Sequence, residues 1–203
     1  MKEKLTLKLA LLVVLVAFLA GEAAWARTAP DFSLPGANGR PVRISNYRGK
    51  YVVVEFMLTT CPHCQTASKV LEQLFKEDSS RLMVIAVSTD FMSGAGLMVL
   101  DMYSKVHGIT YPVLMGDWKV LNQYVGLLPG QNFHVPIFFF IDPSGEIVEE
   151  RSPDRASDND WFKNTDPNLE ATVKRLLPPA KPAAKNRKTG QPANKGAVAN
   201  KQP

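Results

Sequence analysis

Two cysteines, three histidines and a single long apolar run are all that the 203-residue chain offers of these features, and each shortage closes off a class of function. A structural zinc site takes four ligands, usually in closely spaced pairs. His107 and His134 have no such paired spacing, so no metal is expected. Gln65 rather than His follows the second cysteine, which rules out the five-residue covalent haem motif, and no cofactor is expected. There is no internal repeat and no second candidate membrane span. Base is not in excess where it would matter. The formal net charge is +5, yet residues 27–177 carry 15 basic and 17 acidic side chains, a net of −2, which speaks against nucleic-acid binding.

The surplus of positive charge lies at the two ends. Lys2, Lys4 and Lys8 precede an unbroken apolar run from Leu9 to Ala20, and Ala24-Trp25-Ala26 supplies small residues at the spacing a signal peptidase reads. Residues 1–26 therefore read as a cleaved secretory signal with Arg27 as the first mature residue; if uncleaved, Leu5–Ala23 serves as an N-terminal anchor. Either way the expected location is extracytoplasmic, periplasmic or secreted, with membrane contact only if that segment is retained. Residues 178–203 are Pro, Ala, Lys, Asn and Gly with six basic residues, no acid and almost no large apolar side chain. That composition cannot bury enough surface to order itself, so it reads as a disordered basic tail, either a solvated appendage or a contact for an anionic cell surface.

Between these ends one domain is expected, over 27–177. Asp31–Leu34 and Pro41–Ile44 flank Asn38-Gly39 and predict an N-terminal hairpin. Tyr51–Leu58 is apolar and rich in β-branched and aromatic residues, as a central strand covered on both faces should be. Pro62 suits the first turn of a helix whose apolar face is Val70, Leu71, Leu74 and Phe75. A second buried strand is expected at Leu82–Val87, a helix around Ala95–Val106, a short strand near Pro112–Met115 and a helix at Trp118–Val125. The run Pro136–Ile141, the turn Asp142-Pro143-Ser144-Gly145 and an edge strand at Glu146–Glu150 follow, and Asn168–Leu177 reads as a closing helix. Strand, helix, strand, helix and hairpin give an α/β fold, a mixed central sheet with helices on both faces. Phe138-Phe139-Phe140 reads as core, and Trp118 and Trp161 as packing residues.

Cys61-Pro62-His63-Cys64 holds both cysteines at the junction of a buried strand and a helix. Unpaired N–H groups and the helix dipole stabilise a thiolate at the first cysteine, and the second lies one turn on, within reach to close a disulfide. His63 adds a donor or positive charge beside the pair. A purely structural disulfide is the plainer alternative, but a two-residue loop constrains little of the unfolded chain.

Ala29-Pro30-Asp31-Phe32, the strand leading into Cys61-Pro62-His63-Cys64, Tyr111-Pro112-Val113-Leu114, and Val135-Pro136 leading to Phe140-Ile141-Asp142 with Gly145 resemble the TlpA/ResA-like branch of the thioredoxin superfamily, over roughly 29–150. The resemblance implies a three-layer thioredoxin-like fold and a thiol-disulfide oxidoreductase. Its expected partners are protein thiol or disulfide substrates and a recycling partner that the sequence does not identify. It further implies that the Val135–Pro136 bond is cis and faces the cysteines, with Val135 touching the substrate. Glu55, six residues before Cys61, matches the buried acid that moves protons at the second cysteine in thioredoxins. Desolvation there would raise its pKa. The other reading of Glu55 is an acid at a strand edge, exposed or paired with Lys or Arg.

Thr60 stands where the family usually has Trp, so the surface beside Cys61 must differ. The Pro-x-x-x-Thr-x-x-Cys pattern of peroxiredoxins is not met, because Glu55, Phe56 and Met57 offer no such Pro. A thiol peroxidase and a copper-handling thioredoxin-fold chaperone nevertheless stand as alternatives. Finally, the Cys-Pro-His-Cys motif with Val before the proline resembles the disulfide oxidases of the DsbA type. Groups that stabilise the reduced thiolate raise the potential, which favours an oxidising pair.

Overall fold

A computed structural model describes residues 27–128 and 130–177, so residues 1–26, expected to be a signal or anchor, and residues 178–203, expected to be a disordered basic tail, lie outside the described residues. Tyr51–Met57 (β4) forms the middle of a six-stranded sheet because only one of its seven side chains needs any solvent. It pairs parallel with Leu82–Ser88 (β5) and antiparallel with Ile137–Ile141 (β7). Val113–Met115 (β6) extends the sheet beyond β5, and Glu146–Arg151 (β8) pairs with β7 through the Asp142–Gly145 turn. The order is Arg27–Thr28 (β1), β8, β7, β4, β5, β6, with the hairpin of Ser33–Pro35 (β2) and Pro41–Arg43 (β3) as a separate ribbon. Gly39 takes the positive φ, 75°, that the hairpin turn requires.

Strand alternation divides the interior into two cores. Val52, Val54, Phe56 and Phe139 point to one face, under the ribbon and the helix Trp118–Val125, here α3. Val53, Met57, Phe138 and Phe140 point to the other, under Pro62–Asp78 (α1), Leu97–His107 (α2) and the closing helix, and Phe138, Phe139 and Phe140 are all buried as expected. The result is the three-layer mixed α/β architecture that the element order predicts. Glu55 shares the parity of Val53 and Met57, which directs it into the α1 side.

Two segments differ from expectation. Glu146–Glu150 is not simply an edge, because Arg27 and Thr28 pair with Ile147 and Glu146 outside it. A two-residue strand has no hydrophobic period to read; it is held by Ala29 N–H to Gly145 O (2.9 Å) and by Arg27 Nη2 to Tyr124 O (2.7 Å). The closing helix starts earlier than Asn168, at Thr165, and ends at Leu176 (α5, with Asn159–Lys163 as α4 before it). Helix α4 is too short for periodicity and is fixed by tertiary contacts: Trp161 and Phe162 lie 5.6 Å and 6.4 Å from the Phe138 ring. Among the described residues no helix is long and apolar enough to cross a membrane.

Candidate active site

Strand β4 delivers the chain to Cys61, which caps α1. Its backbone is extended (φ −78°, ψ 118°), Pro62 occupies the first helical turn, and Cys61 Sγ accepts the N–H of Cys64 at 3.3 Å. An N-cap side chain relieves one of the orphan donors of a helix start, and here a sulfur does it. The two thiols are unequal: Cys61 is partly exposed and Cys64 is fully buried. Burial, then the charge of Glu55, then the hydrogen bond with Cys61 push the Cys64 thiol far above its ordinary range.

Across from this pair the Val135–Pro136 bond is cis, as the resemblance implied. Cys61 Sγ lies 3.8 Å from the carbonyl oxygen of Val135, so the proline loop forms the opposite wall of the site. Pro62 and His63 are exposed. His63 lines an open cleft of about 290 Å³ with Thr66, Phe162 and residues 163–167 at the junction of α4 and α5.

Of the two readings of Glu55, the buried one holds: its exposure is 0%. Ser68 Oγ donates to Glu55 Oε2 (3.2 Å), and Tyr103 O–H donates to Ser68 Oγ (2.8 Å), so a tyrosine–serine chain ends on one carboxyl oxygen. The other oxygen, Oε1, has no hydrogen-bond partner among the described residues. Ser68 lies one turn beyond Cys64 on the same face of α1, which places the carboxyl under the buried thiol. Desolvation outweighs the serine bond and raises the Glu55 pKa from 4.5 to about 8.

Sequence reasoning missed the residues that hold this site. Asp90, 4% exposed and just beyond β5, accepts the N–H (3.0 Å) and the hydroxyl (2.9 Å) of Thr59, and Gln65 Nε2 donates to Thr59 O (2.8 Å). Ser68 and Tyr103 also went unread; only their spacing relative to Cys64 and to the α2 face could have signalled them. No group of three or more Cys, His, Asp or Glu side chains that could hold a metal ion occurs among the described residues.

An accessible thiol one helical turn from a buried one, opposite a cis-proline on a thioredoxin-like sheet, places the protein among the thiol-disulfide oxidoreductases. More particularly, the chain belongs to the AhpC/TSA family, which residues 26–150 match. The thiol-disulfide oxidoreductase ResA of Geobacillus kaustophilus is 29% identical over 164 residues, 73% of this chain and 87% of that protein. ResA of Geobacillus thermodenitrificans is 30% identical over 122 residues, 59% of this chain and 64% of that one. The crystal structure of a thiol:disulfide interchange protein of the thioredoxin family from Chlorobium tepidum TLS superposes with a TM-score of 0.58 at 26% identity, over 76% of this chain and 99% of that one. The chain is thus a TlpA/ResA-like redoxin.

Proposed function

We propose that the protein works outside the cytoplasm, exchanging disulfides with client proteins through a mixed disulfide at Cys61 that Cys64 resolves. The observation that carries this reading is the inequality of the thiols. Only Cys61 is accessible, and its sulfur faces the Val135 carbonyl. In the oxidising direction a client thiolate attacks Cys61 Sγ, the Cys61–Cys64 bond breaks, and Cys64 leaves as a thiolate. Glu55, protonated at neutral pH because its pKa is about 8, gives that thiolate its proton. A second client thiolate then attacks the client sulfur of the mixed disulfide and releases Cys61, so two electrons pass from client to protein and on to a recycling partner. In the reverse sequence the Cys61 thiolate attacks a client disulfide, the ionised form of Glu55 takes the proton of Cys64, and the Cys64 thiolate attacks Cys61 Sγ, resolving the mixed disulfide and releasing the reduced client.

The location rests on the signal-like pattern of residues 1–26. The basic segment 178–203 is read as an appendage to the domain 27–177. Catalysed insulin reduction, measured beside peroxide turnover and copper titration, tests the reading. The wild-type protein is expected to accelerate insulin reduction and to turn over peroxide only at background. Peroxide turnover that outruns insulin reduction, or tight copper binding without exchange, would replace it with one of the two alternatives.

The direction has its own test. The α1 N-terminus stabilises a thiolate at Cys61 and so favours the reduced form. The pair is therefore expected to equilibrate with glutathione at a potential above that of thioredoxin, about −270 mV. A value at or below that figure would assign the protein to the reductants.

A further inference from the structure

We propose that Asp90 and Asp154, neither of them in the cysteine motif, are positioning residues that fix the gap between Cys61 and Val135 for an extended client chain. This rests on the client-exchange reading above. The two carboxylates make the same grip on the two walls of the site. Asp90 takes the N–H of Thr59 at 3.0 Å and its hydroxyl at 2.9 Å, two residues before Cys61. Asp154 takes the N–H of His134 at 2.8 Å and meets its ring Nδ1 at 2.5 Å, one residue before Val135. A backbone group and a side-chain group held by one carboxylate fix both the position and the rotation of the residue gripped.

Each carboxylate is itself anchored to the sheet. Ser88, the last residue of β5, donates its hydroxyl to Asp90 at 2.5 Å, and Ser88 pairs with Met57 at the end of β4. Asp154 stands on the turn after β8, where its N–H reaches Ser152 Oγ at 3.3 Å. That turn is held by the buried Asp158, which accepts from Ser152 N (3.0 Å) and Arg151 Nη1 (2.9 Å). Both walls are therefore referred to the same sheet, with 3.8 Å between Cys61 Sγ and Val135 O.

A fixed gap matters to a polypeptide and not to a small reagent. An extended client must lie along Val135 while its sulfur lines up with Cys61, and displacements of an ångström in such alignments are costly. A small alkylating agent needs only the sulfur. The test compares Cys61 exchange with a peptide disulfide against its alkylation by iodoacetamide, with Tm recorded for each variant.

Asp154→Ala is expected to slow peptide exchange about tenfold, the scale of one charge-assisted hydrogen bond at a partly exposed site, and to change alkylation by less than about twofold. Asp154→Asn should recover most of the loss, because its amide oxygen still accepts the His134 N–H. Thr59→Val, which removes only the hydroxyl from the Asp90 grip, should show the same selective loss at about threefold. If alkylation and peptide exchange fall together, if neither moves, or if Asn is no better than Ala, the proposal is wrong. A wild-type protein that alkylates normally but does not exchange with the peptide would instead remove the functional reading beneath it.

Discussion

Replacing Cys61 by Ser is expected to abolish catalysed insulin reduction, a loss of at least about a thousandfold, because no other accessible thiol exists in the chain. Replacing Cys64 by Ser should have a different signature. The mixed disulfide at Cys61 still forms, since that step needs only the accessible sulfur, but nothing under it can attack. The client then stays attached and runs on a non-reducing gel as a covalent complex that dithiothreitol releases. The asymmetry follows from burial: Cys64 is 0% exposed and its thiol is pushed upward, so it neither meets a client nor ionises readily. Equal insulin reduction by wild type and Cys61→Ser, or a complex that forms in Cys61→Ser through Cys64, would refute the assignment. The trapped client would at the same time identify the substrate.

What was legible in the sequence is what local chemistry determines. Tyr51–Leu58 reads as a doubly covered strand and Pro62 suits the first turn of a helix, so the place of the cysteine pair was readable from a dozen residues. Glu55 had two readings because an acid in an apolar run is either desolvated within the sheet or exposed or paired at the strand's edge, and its own segment does not distinguish the two. The answer came from Ser68 and Tyr103, which are 13 and 48 positions further along the chain. Asp90 and Asp154 were invisible for a related reason. A lone Asp in a loop ordinarily reads as a solvated residue, and the partners Thr59 and His134 lie 31 and 20 residues away. The motif carries the reacting sulfurs; the residues that aim them are supplied by topology. Strand β1 shows the same limit for the fold, being two residues whose pairing exists only because Ile147 and Glu146 are there to receive them.

Glu55→Gln should make the protein more stable and slower at once. In the unfolded chain this carboxyl loses its proton near 4.5, and in the folded chain near 8. Between those values folding takes up a proton, so wild-type stability is full below about pH 4.5 and declines as the pH rises through 8. At about 1.4 kcal/mol per unit, the loss across the window is on the order of 5 kcal/mol. Glu72, Asp78 and Asp142 have lowered pKa values, so they act below the window, and Cys64, raised from 9.0, acts above it. Gln can still accept the Ser68 hydroxyl and cannot ionise, so its urea midpoint should stay level between pH 5 and pH 8 while that of the wild type falls. The cost appears in exchange. Without a proton to give, Cys64 leaves as a bare thiolate in a dry site, and exchange at pH 7 should drop by about a hundredfold and lose its inflection near pH 8. A variant no more stable than wild type at pH 8 would mean that Glu55 is not desolvated as the fold requires. Wild-type exchange rates with the inflection intact would mean that the proton at Cys64 comes from somewhere else.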